Sequence, residues 1–366
     1  MSKLRFVGLD VHADTIAVAV AETGGEVRSL GIIPNKVESV RKMMGKLAPA
    51  ETLRCCYEAG PSGYTLQRRL TGGRVQCRVI APSMIPQKPG DRVKTNRRDA
   101  RKLAELFRAG LLTEVHPPTP AAEAVRDLGR ARDDARQDLL RVRQRISKLL
   151  LRHGVTFTAG RHWTQRHHRW LEQVPWDHPA AQHVMRDYLL ALAQVMARLT
   201  ELDRALERIA EHPPYQPAVA ALRCFRGVDT LTAVTLLAEL HDIDRFPHPR
   251  ALMAFVGLVP SERSTGDHQR RGALTKTGNR LARRLLIQAA WHYRHRPSLG
   301  LMARRRRENQ PVALLAIATK AEHRLCGRYR RLCAHGKLKP VAIAAVAREL
   351  VGFVWAALHL PEARMT

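Results

Sequence analysis

Four oxygen-bearing side chains in the first hundred residues could together hold a divalent cation. Asp10 ends a short apolar run in FVGLDVH, and Glu58 ends another in CCYEAG. Asp99 and Asn96 lie three residues apart in KTNRRDARKLAEL, on one face of a predicted helix and near its start. Carboxylate and amide oxygens are the hard donors that Mg²⁺ prefers, and Mn²⁺ accepts the same set. We therefore predict a Mg²⁺ site, with Mn²⁺ as a second candidate, of the kind that assists attack on a phosphodiester.

The same acidic residues also have a purely structural explanation. Asp10 and Glu58 can pair with nearby cations, which are Arg92, Lys94, Arg97 and Arg98. Asp99 can stabilise the N-terminus of its own helix, where a negative charge is favourable. The residue types alone leave both explanations open.

A hydroxyl-rich loop in the C-terminal third is the second candidate for chemistry. Ser264 lies in VPSERSTGDHQRRGALTKTGNRLARRLL, with Ser261 and Thr265 as neighbouring hydroxyls. The cations of this segment are candidate nucleic-acid contacts, namely Arg270, Arg271, Lys276, Arg280, Arg283 and Arg284. Guanidinium groups around a hydroxyl stabilise an alkoxide and hold a phosphate, so Ser264 is the candidate nucleophile. A loop that only grips phosphate is the alternative.

The charge balance indicates a polyanionic partner. The 366 residues include 62 Lys and Arg against 33 Asp and Glu, a formal net charge of +29. Binding nucleic acid relieves such a charge and releases the counterions condensed on the phosphates. The six cysteines show no metal-binding spacing, and we interpret them as small core residues. No signal peptide is evident and no stretch approaches the roughly 20 apolar residues of a membrane span, so a cytoplasmic protein is expected.

The elements that must position these side chains begin with an α/β unit. Three strands in a meander, with a hairpin at Gly24-Gly25, precede helix, strand, helix and strand over residues 4–81. This is the order of the RNase H-like fold. A helix from about Asn96 to Ala109 follows, and residues 1–112 form the predicted first domain.

The remaining chain is predicted to be helical. Apolar residues follow a heptad pattern in 181–212 and a similar stripe in 121–153, which predicts an antiparallel coiled-coil hairpin over residues 118–213. The alternative is that these helices fold onto the other domains. Residues 217–366 form a mostly α-helical domain that contains the serine loop. Within it, LRCFRGVDTLTAVTLLAEL resembles a helix-hairpin-helix that contacts phosphate, although Thr230 replaces its second glycine.

Taken together, these motifs resemble one family across nearly the whole chain. The segments GLDVH, YEAGPSGY, GDRVKTNRRDARKLA and FRGVDTLTAVTLLAEL, followed by the long serine segment, are similar to the DEDD-type transposases of the insertion-sequence one-ten family. The resemblance implies a RuvC-like domain, a coiled coil and a C-terminal domain with a nucleophilic serine. It places the acidic tetrad on Asp10, Glu58, Asn96 and Asp99, and the serine on Ser264.

The resemblance also implies an activity and its partners. The family is similar to a recombinase that forms a covalent phosphoserine link to DNA, with the acidic domain of one subunit completing the site around the serine of another. A structured guide RNA would pair with target and donor DNA, and a dimer would pair into a tetramer. Asn96 departs from the usual third aspartate, which removes one negative charge and predicts weaker metal affinity. Asp91, five residues earlier, is a possible substitute.

Two other functions are compatible with the residues. The acidic set alone suits a metal-dependent RuvC-like nuclease of the Holliday-junction type, in which water attacks and Ser264 only grips phosphate. A chain whose metal site is disabled by Asn96 would instead be an inactive nucleic-acid-binding copy. A structured non-coding stretch in the DNA beside the gene would favour the RNA-guided recombinase.

Overall fold

The structure is a computed structural model that describes residues 4–87, 95–265, 268 and 270–365. It divides into two compact units, Met1–Pro117 and Pro118–Thr366. The predicted mixture of an α/β N-terminal sheet and a mostly helical C-terminal region is confirmed. The further separation of residues 118–213 from residues 217–366 stays a prediction, as does the RuvC-like identity of residues 1–112.

The N-terminal unit is built on a six-stranded sheet in the order β3-β2-β1-β4-β5-β6. Its strands are β1 Arg5–Val11, β2 Thr15–Glu22, β3 Val27–Pro34, β4 Leu53–Glu58, β5 Gln76–Ile80 and β6 Glu114–Val115. Its helices are α1 Val37–Leu47, α2 Thr65–Gly72 and α3 Asn96–Arg108. The first three strands form an antiparallel meander, whereas β1, β4 and β5 run parallel, so the first five strands follow the predicted order.

Helix α3 packs directly across β1 because Gly8 has no side chain. A Cβ on Gly8 would lie 2.6 Å from the Ala104 nitrogen and closer still to the Ala100 carbonyl oxygen. Phe6, near the start of β1, contacts Phe107, near the end of α3, with ring centroids 5.7 Å apart. Helix α3 therefore runs opposite to β1, and its N-terminal turn lies toward the end of β1 that carries Asp10.

Replacing Gly8 with alanine is expected to destabilise the chain by about 1–3 kcal/mol, because the new methyl group must displace helix backbone. Gly45 in α1 is a matched control, since a Cβ there meets nothing within 4 Å. Gly45→Ala should be neutral or stabilising by up to about 1 kcal/mol, because alanine favours a helix interior. Urea unfolding measures both changes. Equal effects of the two substitutions would contradict the packing of α3 on β1.

Two long helices dominate the first part of the C-terminal unit. They are α4 Pro120–Arg152 and α6 Pro179–Ala210, and each begins with proline after a residue whose side chain caps the helix. Arg132 pairs with Asp203, and Arg198 lies 3.7 Å from Asp138, so the two helices run antiparallel. Every predicted apolar position is buried or half-buried, namely Leu128, Ala131, Ala135, Leu139, Val142, Ile146 and Leu149 in α4 and Met185, Tyr188, Leu192, Val195, Leu199, Leu202, Leu206 and Ile209 in α6. That the pair forms a coiled coil stays a prediction.

The connection between these helices contains a short helix that the sequence reasoning did not predict. Helix α5, Gln165–Gln173, places His167 in an aromatic cluster with Trp163, Trp170 and Phe157. Burial, reinforced by the charges of neighbouring histidines, lowers the pKa of His167 to about 4. The imidazole is therefore neutral at physiological pH, as its apolar surroundings require.

The rest of the unit is a helical bundle with one small hairpin. Its helices are α7 Tyr215–Arg223, α8 Thr230–Leu240, α9 Pro249–Phe255, α10 Arg280–Ala290, α11 Leu301–Arg307, α12 Val312–Ala334 and α13 Lys339–Leu358. Strands β7 Pro260–Glu262 and β8 Arg271–Leu274 form the hairpin. One core cluster extends from the base of α4 and α6 through α13.

The expectation that no segment approaches a membrane span is wrong by length and composition. Helix α13 is long and apolar enough to cross a bilayer. Its apolar side chains, among them Ile343, Val346, Leu350 and Val354, are instead buried in the bundle core. The hydropathy of α13 is therefore explained by its central place among the other helices. All six cysteines are free thiols, and five of them are buried.

Candidate functional site

Asp10 and Glu58 lie side by side at one edge of the N-terminal sheet. Leu9 pairs with Tyr57 on the adjacent parallel strands β1 and β4, so the next residues along each strand are Asp10 and Glu58. Both are half-buried. Because side chains alternate along a strand, Asp10 shares the face of Gly8, which is the face that α3 covers. The sheet thus positions two of the predicted ligands on neighbouring strand ends.

The first turn of α3 brings the other two predicted ligands to the same edge. The helix runs opposite to β1 and covers Gly8 with Ala100 and Ala104, so Asn96 and Asp99 lie toward the Asp10 end. The helix N-cap is Thr95, whose hydroxyl accepts a hydrogen bond from the Arg98 backbone nitrogen at 3.4 Å. Asp99 lies in the first turn of α3, so its carboxylate also suits the helix N-terminus, and the structural explanation of this residue stays open beside the metal-ligand one.

The donor set at this edge suits a hard cation bound largely through water and substrate. The Asp10 carboxylate is 16 % exposed and lies 3.0 Å from the His12 imidazole. Among the described residues, no group of three His, Cys, Asp or Glu side chains is preassembled as a metal cage. Mg²⁺ is commonly held by one or two carboxylates together with waters and phosphate oxygens, so it needs no such cage. Arg92, Lys94 and Asp91 lie outside the described residues.

Ser264 lies two residues after the end of β7, close to the tip of the β7–β8 hairpin. Its hydroxyl donates a hydrogen bond of 2.6 Å to the Glu262 carboxylate. Thr265 pairs with His268 through two backbone hydrogen bonds across the turn. Ser261 packs against Gly272, where a Cβ would collide with its hydroxyl. Of the three candidate hydroxyls, Ser264 is the one whose side chain the structure pairs with a carboxylate.

Two glycines with positive φ hold the base of this hairpin against the end of α9. Gly257 has φ +65° and Gly278 has φ +73°, and side chains at these positions would meet the backbone of Thr277 and Phe255 respectively. The Asn279 nitrogen donates to the Phe255 carbonyl at 2.9 Å, which ties the start of α10 to the same point. The serine loop therefore projects from a base that backbone contacts hold in place.

The predicted phosphate-binding cations fall into two groups. Arg270, Lys276 and Arg280 are exposed and available to a ligand. Arg283 instead donates to the carbonyl oxygens of Val256 and Thr277, each at 2.9 Å, and Arg284 pairs with Asp133 of α4. Arg271 begins β8, and its side chain lies outside the described part of the structure. Nucleic-acid contact by all six stays a prediction, with three of them best placed for it.

Glu239 of α8 fastens the helix that follows the serine loop. Its buried carboxylate accepts two hydrogen bonds from Arg130, at 2.8 and 3.0 Å, and another from the Asn279 side chain. Asn279 in turn caps α10 by accepting from the Ala282 nitrogen at 2.9 Å. One carboxylate thereby links α4, α8 and α10.

Glu239→Ala is expected to lower the free energy of unfolding by about 2–3 kcal/mol, because it removes charge-assisted hydrogen bonds and leaves Asn279 without its acceptor. Glu201→Ala is the control, since Glu201 forms an exposed i,i+3 pair with Arg204. That substitution should change stability by about 0.5 kcal/mol or less. Thermal and urea unfolding check both. A Glu239→Ala effect no larger than the control would contradict the proposed link.

Sequence reasoning missed Glu262 and Glu239. The available signal for Glu262 was its position at the end of a strand, two residues before Ser264. Side chains two residues apart in an extended segment point to the same face, so these two can meet. Nothing local marked Glu239, because its partners Arg130 and Asn279 lie 109 and 40 residues away.

Two family models match this chain, one in each half. Residues 219–302, which include the serine loop, match the Transposase IS116/IS110/IS902 family. Residues 7–154, which include the acidic edge, match a DEDD-type transposase model of the IS110 group. The second match suggests that the chain depends on a divalent metal.

Several curated transposases are similar over most of their length. A putative transposase of Sinorhizobium fredii, y4qE, is 44 % identical over 99 % of this chain and 90 % of its own. The transposase for insertion sequence element IS1533 of Leptospira borgpetersenii is 35 % identical over 91 % of this chain and 97 % of its own. That for IS1111A of Coxiella burnetii is 26 % identical over 87 % and 88 %. From these matches and the two family models, the chain belongs to the IS110 family of insertion-sequence transposases.

Proposed function

We propose that this transposase cuts and rejoins DNA through a covalent phosphoserine intermediate formed by Ser264. The observation that carries the proposal is the hydrogen bond of 2.6 Å from the Ser264 hydroxyl to the Glu262 carboxylate. A nucleophile within hydrogen-bond reach of a base is the arrangement that activates a hydroxyl. The exposed cations Arg270, Lys276 and Arg280 are suited to hold the scissile phosphate beside it.

The proposed reaction consists of two transesterifications, which consume no water and need no oxidant or reductant. Ser264 Oγ bonds to phosphorus as its proton passes to Glu262, and the bond from phosphorus to the leaving deoxyribose oxygen breaks. That oxygen takes up a proton and leaves as a hydroxyl group. In the rejoining step a deoxyribose hydroxyl of another strand attacks the phosphoserine, and Ser264 is regenerated. The phosphodiester is conserved throughout, so no external energy source is needed.

We assign the divalent cation to Asp10, Glu58, Asn96 and Asp99, with Mg²⁺ first and Mn²⁺ second. When bound, it would neutralise charge that develops on the phosphate oxygens. The chain's own contribution is the rigid pair of strand ends and the first turn of α3. The carboxamide of Asn96 offers one oxygen without charge, which predicts weaker cation affinity than a third carboxylate would give.

The remaining assignments follow from the element order and from the family. The sheet order β3-β2-β1-β4-β5 supports an RNase H/RuvC-like domain. The antiparallel pair α4 and α6 supports a coiled-coil arm, which at about 1.5 Å per residue spans roughly 50 Å. By likeness to the family, the active form is a dimer that pairs into a tetramer, and a structured RNA encoded beside the gene guides it to DNA in the cytoplasm.

A trapping experiment tests the proposal against its competitors. The chain is incubated with DNA of the element's ends, its flanking RNA and Mg²⁺, and the products are denatured. A protein–DNA adduct that survives denaturation is expected. Cleaved ends without attached protein would instead indicate a metal-dependent nuclease. Binding without any cleavage, in either Mg²⁺ or Mn²⁺, would indicate an inactive nucleic-acid-binding copy.

Glu262→Gln is expected to slow adduct formation by about a hundredfold, because glutamine holds the Ser264 hydroxyl but cannot take its proton. DNA binding should be retained in this variant, which loss of folding would not allow. Glu308→Gln, at an exposed position after α11, is the matched control and should leave the rate unchanged. A Glu262→Gln chain with the parent rate would exclude Glu262 as the proton acceptor.

A further inference from the structure

A second candidate binding site lies in the helical bundle, at the turn between α7 and α8. A cavity of about 530 Å³ opens between this turn, the segment Ser298–Ala303 and the end of α11. Gly227, with φ +80°, brings the turn so close to α10 that a Cβ there would lie 2.5 Å from the Ala289 carbonyl oxygen. The turn is thus used for tight packing on one side and lines the cavity on the other.

The inner wall of the cavity is cationic. Arg223, Arg226, Arg306 and Arg307 line it, and the buried carboxylate of Glu322 is shared by two of them. Arg307 Nη2 lies 3.3 Å from Glu322, and Arg226 Nη1 lies 3.7 Å from it. The only other acid of the lining is Asp229, which accepts a hydrogen bond of 2.7 Å from the Thr232 nitrogen as the cap of α8. The positive charges of the lining therefore outnumber its negative charges.

Two of these arginines retain unused donors. The buried Nε atoms of Arg223 and Arg306 have no hydrogen-bond partner within the described structure. Arg306 is held in place by a hydrogen bond of 3.2 Å from Nη1 to the Val228 carbonyl. The positive charges of these arginines, which line the cavity, favour an anionic ligand there.

His292 lines the same cavity together with Arg226 and Asp229. Burial and, next, the charge of Arg226 lower the pKa of His292. A protonated imidazole is disfavoured there first because the group is buried and then because of the nearby cations.

The mouth of the cavity is apolar. Leu301 is 66 % exposed and Met302 is 61 % exposed, and both lie on the first turn of α11 beside Leu299. Large apolar side chains at an opening above a cationic wall suit a ligand with a flat apolar part attached to an anion. A nucleobase attached to its phosphate has this construction, and bases pack well on apolar and sulfur-containing surfaces.

We propose that this cavity binds one unpaired nucleotide of a single-stranded segment, with its phosphate at Arg306 and Arg223 and its base on Leu301 and Met302. The volume of about 530 Å³ is sufficient for one nucleotide. The inference rests on the chain acting on nucleic acid, as proposed above, but it requires neither Ser264 nor a metal. It assigns to the α7–α8 turn a role in holding strands that have left a duplex.

Photocrosslinking tests the site in the full chain carrying Ser264→Ala, in the presence of a chelator so that no cleavage occurs. The probe is a 5′-phosphorylated tetranucleotide of 4-thiothymidine, and mass spectrometry maps the attached peptides. We expect a crosslink in the peptide that contains Leu299–Met302. Arg306→Gln should reduce it about fivefold relative to crosslinks elsewhere on the chain, as loss of a charge-assisted hydrogen bond predicts. Arg305→Gln, which removes the same charge from an exposed neighbour, should leave it within about twofold.

A second variant, at the exposed residue Leu301, keeps the test valid if Arg306→Gln fails to fold. Leu301→Ser should also reduce the crosslink, whereas Leu338→Ser, at a position that is 74 % exposed away from the cavity, should not. Two further probes distinguish the possible ligands. Stronger crosslinking of the 4-thiouridine tetranucleotide would indicate RNA, and equal crosslinking of 4-thiothymidine monophosphate would indicate a free nucleotide. Absence of crosslinks at Leu299–Met302, equal loss with Arg305→Gln, or competition by inorganic phosphate as effective as that by the unlabelled tetranucleotide would overturn the proposal. Because Ser264 is already absent, these outcomes leave the proposed nucleophile untouched.

Discussion

Replacing Ser264 with alanine is expected to abolish the covalent protein–DNA adduct and to reduce strand transfer by about a thousandfold or more. The substitution removes the only atom that forms the bond to phosphorus, and losses of this size follow removal of a nucleophile. It should leave DNA binding intact, because the exposed cations of the loop remain. Denaturing gel electrophoresis of the trapped reaction measures the adduct, and a filter-binding assay measures affinity.

Ser261→Ala is the matched control for this prediction. Ser261 lies three residues earlier, and its side chain packs on Gly272, so its loss should change the rate by less than about tenfold. The prediction fails if the adduct persists in Ser264→Ala. It also fails if both substitutions abolish the adduct equally, because the loss would then not be specific to the Ser264 hydroxyl.

Asp10→Asn is expected to reduce cleavage by about a hundredfold to a thousandfold in Mg²⁺. The amide keeps the size of the side chain but removes the charge that binds the cation, and such metals contribute several kcal/mol to phosphate chemistry. Asp14→Asn is the control, because Asp14 lies in the exposed turn after β1 and contributes a backbone carbonyl to Asn35 there. Cleavage rates at a series of Mg²⁺ concentrations distinguish weakened metal binding from loss of chemistry.

Asn96→Asp gives the complementary test of the same site. A carboxylate in place of the amide should shift the Mg²⁺ dependence to lower concentration, because it adds one negative charge to the donor set. If Asp10→Asn cleaves at the parent rate, or if Asn96→Asp raises the Mg²⁺ requirement, the acidic edge is not the metal site and the ion-pair explanation of these residues is preferred.

The sequence predicted the features of this chain that depend on local periodicity. Short apolar runs and the glycines between them located β1 to β5, and the heptad pattern located the buried face of α6, whose heptad positions are all buried or half-buried. The same apolar runs located Asp10 and Glu58, because each of these residues ends a run that forms a buried strand. Asn96 was correctly placed at the start of its helix, since Thr95 provides the cap.

Long-range partners were beyond such reasoning. Arg283 and Arg284 share a helix face with Arg280, which is why all three were predicted to bind phosphate. Arg284 is engaged by Asp133, which lies 151 residues away in the sequence. Arg283 is engaged by the carbonyl oxygens of Val256 and Thr277. The apolar composition of α13 was likewise ambiguous, because a bundle core and a bilayer select the same side chains. Only the packing of the bundle distinguishes the two environments.

Different kinds of contact hold the two candidate sites in place. In the N-terminal unit, Gly8 permits α3 to approach β1, and the position of the acidic residues depends on that contact. In the C-terminal unit, Gly257, Gly278 and Glu239 hold the base of the serine loop and the start of α10. Substitutions at these positions are expected to act through the placement of Asp99 or Ser264, so they should impair activity only as far as they disturb the fold.

The most direct test of this account is to locate the covalent bond itself. The trapped adduct of the unsubstituted chain is digested with nuclease and protease, and tandem mass spectrometry identifies the modified side chain. We expect a nucleotide linked through phosphate to the Ser264 oxygen. A nucleotide on any other side chain, or cleaved DNA with no modified peptide, would contradict it.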